Sequence, residues 1–246
     1  MSTFLKTQWY SERVRRHVTF ARWGHFGQPV LIFPTAGGDA EEIERFLMIR
    51  ALEPLIRAGR IKVYSCDSVA GQVWFERDTP LDHRMWMMNQ FEEYVRREVV
   101  PAIYMDCHTD GIPIWTAGAS IGAMYSVAAV CRYPEAFHRA IAMSGTYDIL
   151  RFANTSHYTH DYFLSVPMRF LPHLDEAHLD LLRQRFILLA SGEGRAENME
   201  ESWAMARMLG EHLVPNWVDP WGPAWHHDWP TWRAMLPKYL DDWTYP

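Results

Sequence analysis

The sequence predicts an α/β protein with a mostly parallel central sheet and helices on both of its faces. Two observations carry that expectation. Short continuous apolar runs alternate with helical patterns along the chain, and two of those runs end directly in glycine-rich turns. Continuous runs suit strands covered on both faces, and their alternation with helices suits a doubly wound sheet.

In order, His17 to Trp23 alternates like a half-exposed strand, and Val30-Leu31-Ile32-Phe33 is the first continuous run. From Glu41 to Ala58, Ile43, Phe46, Leu47, Leu52, Leu55 and Ile56 recur at helical spacing, with Gly59 as the stop. Ile61 to Cys66 reads as the next strand, and Asp82 to Tyr104 as one long amphipathic helix interrupted by Pro101. Ile112 to Ala117 is a third buried strand, followed by Gly118-Ala119-Ser120-Ile121-Gly122 and a helix running towards Tyr133-Pro134. Arg139 to Ser144, Arg185 to Ser191 and Val214 to Val218 supply three more strands, before a helix around Thr231 to Leu240. The segment from Tyr147 to Asp180 breaks this rhythm with aromatics, histidines and prolines, and reads as a cap-like insertion over the sheet top. No linker divides the chain, so residues 1–246 are expected to form one domain.

Apolar residues at 48% and charged residues at 22% fit a soluble protein with a sizeable core. A net charge of -6 argues against a nucleic-acid surface, which needs cations to neutralise phosphates. The short basic run Arg13-Val14-Arg15-Arg16 reads as a solvated strand edge. Three irregularly spaced cysteines, Cys66, Cys107 and Cys131, are not a disulfide framework and point to a reducing compartment. No run approaches the roughly 18 apolar residues of a membrane span, nor does the N-terminus read as a signal peptide; a cytoplasmic location is expected. A homo-oligomer is compatible with all of this.

The G-x-S-x-G at Gly118 to Gly122 gains its meaning from the strand before it and the helix after it. A tight strand-to-helix turn holds its serine in a strained backbone, and the flanking glycines remove side chains that would clash. Ser120 would then stand at a helix N-terminus as a nucleophile, with the Ile121 amide aimed at the oxygen that becomes negative during attack. A second such donor is expected from the loop Thr35-Ala36-Gly37-Gly38, where Ala36 is the first choice and Gly37 the alternative.

A serine hydroxyl needs a base, and in strand-turn-helix sites of this kind the histidine follows the last strand, with the acid between serine and histidine. Trp225-His226-His227-Asp228-Trp229-Pro230 sits where that histidine belongs. For the acid, Glu193 and Glu197 both lie in the loop after the Phe186 to Ala190 strand, and periodicity does not choose between them. Asp148 is a third candidate, although its position favours turn capping. The histidines offer no metal set: His226 and His227 are adjacent, and His157 and His160 fall in the irregular aromatic segment, where surface or cap positions are expected.

These residues resemble the esterase D and mycolyltransferase-like branch of the α/β-hydrolases, over roughly Pro29 to Leu240. The resemblance is carried by Gly118-Ala119-Ser120-Ile121-Gly122-Ala123, Met143-Ser144-Gly145-Thr146-Tyr147-Asp148 and His227-Asp228-Trp229-Pro230-Thr231-Trp232. It implies an α/β-hydrolase fold and selects His227 over His226. It also favours Glu197 over Glu193, giving the order Ser120…Glu197…His227, and assigns the second oxyanion amide to the loop at Thr35-Ala36. One departure is that many esterases begin that loop with His-Gly, whereas this chain has Pro34-Thr35.

The expected activity is therefore hydrolysis of a small-molecule carboxylic ester through an acyl-enzyme, with no cofactor and no metal. The same site would serve an acyltransferase if an alcohol replaced water, and a non-catalytic binding protein on this fold is the rival from another class. Asp67, Trp74, Trp221 and Trp225 are the candidate substrate-binding residues. Asp67 and Trp74 lie near a strand end, and Trp221 and Trp225 near the histidine.

Overall fold

A computed structural model describes residues 4–76 and 78–244. Eight strands form one sheet: β1 (Phe4–Ser11), β2 (Arg16–Trp23), β3 (Gln28–Phe33), β4 (Ile61–Cys66), β5 (Ile114–Ala119), β6 (Phe137–Met143), β7 (Phe186–Ser191) and β8 (Asn216–Pro220). Their order is β1-β2-β4-β3-β5-β6-β7-β8. β2 runs antiparallel to both β1 and β4, and from β4 to β8 every neighbouring pair is parallel. The central strands β4 and β5 are buried at every residue, as their unbroken apolar sequences demand.

The helices are α1 (Glu42–Arg45), α2 (Met48–Arg57), α3 (Val69–Trp74), α4 (Leu81–Tyr94), α5 (Val100–Cys107), α6 (Ile121–Arg132), α7 (His160–Ser165), α8 (Pro167–Phe170), α9 (Glu176–Leu182), α10 (Met199–Glu211) and α11 (Trp229–Thr244). One face of the sheet packs against α3, α4, α6, α9 and α10 through a core that includes Phe33, Tyr64, Phe91, Tyr125 and Leu189. The other face packs against α2 and α11, through Val30, Ile32, Leu52, Leu236 and Leu240. Both sheet faces are thus covered, as the alternating pattern predicts.

Several boundaries differ from the sequence reading. The strand β1 carries no buried stripe, since six of its residues are exposed or nearly so, and hydrophobic periodicity has nothing to detect there. The single helix expected over Glu41 to Ala58 is two helices, because Leu47 turns into the left-handed region at φ 63° and redirects the chain. Ile43 and Met48 are buried on either side of the break, so the apolar spacing runs through it unmarked. The long helix expected over Asp82 to Tyr104 contains a π turn at Val95–Val99, which ends two residues before Pro101. Proline lacks the amide that would continue the ladder, and the wider turn absorbs the missing bond.

The basic run forms the β1–β2 turn, where Val14 is buried, Arg13 lies 3.7 Å from Glu98, and Arg15 covers the Trp86 ring at 5.2 Å. Between β6 and β7 the chain forms only short helical pieces, α7 to α9 with two 3₁₀ turns, and α7 packs against α4. Among the described residues no helix is long and apolar enough to cross a membrane.

Candidate active site

The turn between β5 and α6 holds Ser120 at φ 57° and ψ -120°, a conformation that costs a non-glycine residue about 1–3 kcal/mol. Backbone bonds hold it there. The Ser120 amide donates to the Met143 carbonyl at 3.0 Å, and its carbonyl accepts from Ala123 at 3.1 Å and Thr146 at 3.3 Å. The flanking glycines are steric requirements: a Cβ on Gly118 would lie 2.3 Å from the Gly122 carbonyl oxygen, and one on Gly122 would lie 2.6 Å from that of Phe33. These neighbours are backbone and cannot swing aside. Gly122→Ala is therefore expected to cost about 2 kcal/mol and to lower Tm by roughly 5 °C, together with kcat. A thermal melt and ester kinetics check this, and an unchanged Tm would contradict it.

Ser120 precedes the first turn of α6, whose leading amides, Ile121 included, have no acceptor within the helix. Across from it, the loop after β3 is pinned at three points. The Thr35 amide and hydroxyl both donate to the Glu42 carboxylate at 2.7 Å. The Gly38 carbonyl accepts from Ser68 at 3.1 Å and from Gln72 at 3.0 Å. The Ala40 amide donates to Asp67 at 2.9 Å. Between these points Ala36 and Gly37 are exposed, and among the described residues their amides have no partner.

The loop after β7, which carries Glu197, meets the loop after β8, which carries His227. His227 Nδ1 lies 3.4 Å from Glu197 Oε2, with the Glu197 side chain only 1% exposed. Nδ1–H is thereby directed at the carboxylate, which leaves Nε2 for a second partner. Glu197 also accepts from Ser144 Oγ at 2.6 Å and from Ser191 Oγ at 3.1 Å. Burial opposes its charge, but the bonds from His227, Ser144 and Ser191 outweigh it and hold the carboxyl below the usual glutamate range. Ser144 in turn accepts from Trp232 Nε1 at 2.9 Å, and the Trp232 ring meets His227 edge-on at 5.3 Å. Ser144 also follows Met143, the residue that accepts from the Ser120 amide. Glu197 and the serine turn are therefore fixed by adjacent residues of one strand end.

The remaining candidates sort by geometry. Glu193 is exposed, and its amide donates to the Gly222 carbonyl at 3.0 Å, whereas the carboxylate that meets the histidine is that of Glu197. His226 is engaged elsewhere, its Nδ1 accepting from the Arg195 amide at 2.9 Å. Asp148 caps the following turn at Leu150 and accepts from Tyr162 at 2.6 Å. His157 faces Asp82 at 3.4 Å, whereas His160 stacks on Phe163, so the two do not converge. Trp221 donates to Tyr239 at 2.6 Å and packs edge-on against a half-exposed Trp225 at 4.8 Å.

Two substrate-binding expectations need correction. Asp67 divides its carboxylate between the backbone amides of Thr19 at 2.7 Å and Ala40 at 2.9 Å, which makes it a clamp on the loop after β3. Trp74 is 3% exposed and packs against Tyr162 in the core. Ser144, Ser191 and Glu42 were missing from the sequence reading, since their roles arise from contacts distant in the chain. A cleft of about 380 Å³ opens between Tyr147 and Asp148, Met168 and Arg169, and the start of α10 at Asn198, Glu200 and Glu201, one residue beyond Glu197.

The sheet order, with a strained serine in the turn after its fifth strand, defines an α/β-hydrolase. The family model described as "Putative esterase" matches residues 67–242. The chain belongs to that esterase family, and it is a carboxylic ester hydrolase. No curated relative matches the sequence. Among solved structures, a ferulic acid esterase superimposes with a TM-score of 0.75 at 17% identity, covering 99% of this chain and 98% of that one. The S-formylglutathione hydrolase FrmB of Staphylococcus aureus gives 0.67 at 11% identity, covering 99% and 96%. MPT51 of Mycobacterium tuberculosis gives 0.66 at 15% identity, covering 99% and 98%. At these identities the likeness is one of fold.

Proposed function

We propose that the protein hydrolyses a small-molecule carboxylic ester through an acyl-enzyme on Ser120. The observation that carries this reading is the buried Glu197 carboxylate on His227 Nδ1, tied through Ser144 to the strand end that holds Ser120. His227 takes the Ser120 proton through Nε2 as Oγ attacks the ester carbonyl. The imidazolium so formed is stabilised by Glu197, and it then protonates the leaving alcohol. The same histidine activates water for the second step, which releases the acid and frees Ser120. The Ile121 amide and the Ala36 amide, or that of Gly37, hold the oxyanion in both steps. No step calls for a cofactor.

The segment 147–180 serves as a cap within a single α/β-hydrolase domain spanning residues 1–246. Three unpaired cysteines favour a reducing, cytoplasmic setting. A panel of p-nitrophenyl and alkyl esters varying in acyl and alcohol length, with product analysis in the presence of an added alcohol, tests the activity. Turnover to free acid is the expected result. Transfer of the acyl group to the alcohol in preference to water would make the protein an acyltransferase, and no turnover of any ester would remove the proposal.

A further inference from the structure

We propose that Glu42 is a positioning residue for catalysis, a buried latch that holds the oxyanion loop and works in a form for which glutamine can substitute. This rests on the reading that the loop after β3 supplies the second oxyanion amide.

A glutamate at 6% exposure has no business in a core without a partner, because burying a lone carboxylate is costly. Among the described residues Glu42 has no ion pair within 4 Å; Arg45, the cation in its own turn, is bonded to Asp39 at 2.8 Å and reaches Glu42 only through its charge. Its two oxygens are instead both given to Thr35, one to the amide and one to the hydroxyl, each at 2.7 Å. The loop coils closely around this carboxyl. A Cβ on Gly38 would lie 2.6 Å from Glu42 Cδ and Oε2, and equally close to Pro34. Thr35 is the residue immediately before Ala36, so the Glu42 carboxyl fixes the plane from which the Ala36 and Gly37 amides are presented. Asp67 at Ala40, with Ser68 and Gln72 at Gly38, fixes the far side of the same loop.

Charge then sharpens the inference. A negative carboxylate beneath an oxyanion hole opposes the negative charge that develops there during attack. A neutral carboxyl makes the same two contacts without that penalty, accepting from the Thr35 amide through its carbonyl and donating its own proton to the Thr35 hydroxyl. Burial pushes the Glu42 carboxyl up, in the direction this requires, even though the Thr35 bonds and the Arg45 charge oppose the shift. Glutamine offers the same pair of contacts, one acceptor and one donor. Alanine offers neither.

Steady-state kinetics on an ester of the panel, run beside Ser120→Ala, test this. Glu42→Ala should lower kcat by about 10–100-fold with KM within about threefold, because a displaced oxyanion donor is felt in the transition state. Affinity for a trifluoromethyl ketone analogue of the same ester should fall in step with kcat. Glu42→Gln should keep kcat within about twofold of wild type, or raise it. Thr35→Val, which removes one of the two contacts and conserves shape, should lower kcat by about 3–10-fold, and it keeps the test open if Glu42→Ala does not fold. Glu42→Gln as damaging as Glu42→Ala, a loss confined to KM, or full kcat in Thr35→Val would each overturn the latch. Activity surviving Ser120→Ala would instead remove the reading of the site itself. A dead Ser120→Ala beside an unaffected Glu42→Ala would remove the latch alone.

Discussion

Ser120→Ala is expected to lower kcat for ester hydrolysis by about 10⁴-fold or more, with KM and Tm nearly unchanged. The size follows from what is lost. In the proposed mechanism no acyl-enzyme forms without the hydroxyl, and only direct attack by water, helped by the proposed oxyanion amides, remains. Tm should hold because alanine also fits a half-exposed site whose fixed contacts are the backbone bonds to Met143, Ala123 and Thr146. Activity within tenfold of wild type would mean that another group carries the chemistry.

Glu197→Gln is expected to lower kcat by about 10²–10⁴-fold while leaving the loop in place. The carboxylate accepts from three donors, His227 Nδ1, Ser144 Oγ and Ser191 Oγ. An amide can keep its oxygen on His227 and Ser191 and turn its NH2 to Ser144, but it carries no charge, so the protonated histidine loses the carboxylate that stabilises it. The same substitution carries a pH signature. Because the folded protein holds the Glu197 carboxyl below the usual glutamate range, its ionisation contributes stability at every pH above that range. That contribution is lost as pH falls through the lowered value. The Tm gap between wild type and Glu197→Gln should therefore be widest near neutrality and close on acidification. A gap that widens in acid would contradict the assignment, and so would a kcat equal to wild type. Glu193→Gln, an exposed residue of the same loop, is the matched control.

The contrast between these two residues shows how far the sequence could be read. Ser120 was legible because its turn depends on side chains being absent at Gly118 and Gly122, and absence is written directly in the sequence. The choice of Glu197 over Glu193 depends on contacts with Ser144 and His227, which are 53 and 30 residues away, and on a left-handed Ala196 at φ 64° that turns the chain just before it. Neither leaves a local trace, and only the family resemblance pointed to Glu197. The central strands were legible from their apolar runs, whereas exposed β1 and the bend at Leu47 were not. Asp67 and Trp74 mark the opposite error: a polar residue and an aromatic at a strand end read as pocket lining, yet one clamps backbone amides and the other fills core.

The assignment of Ser120 as nucleophile is tested most directly by mapping the covalent adduct of a fluorophosphonate probe. Wild-type protein treated with the probe and digested should carry one phosphonyl group, on Ser120, with activity lost in proportion to labelling. Ser120→Ala should remain unlabelled. An adduct on any other residue, or undiminished labelling of Ser120→Ala, would contradict the assignment.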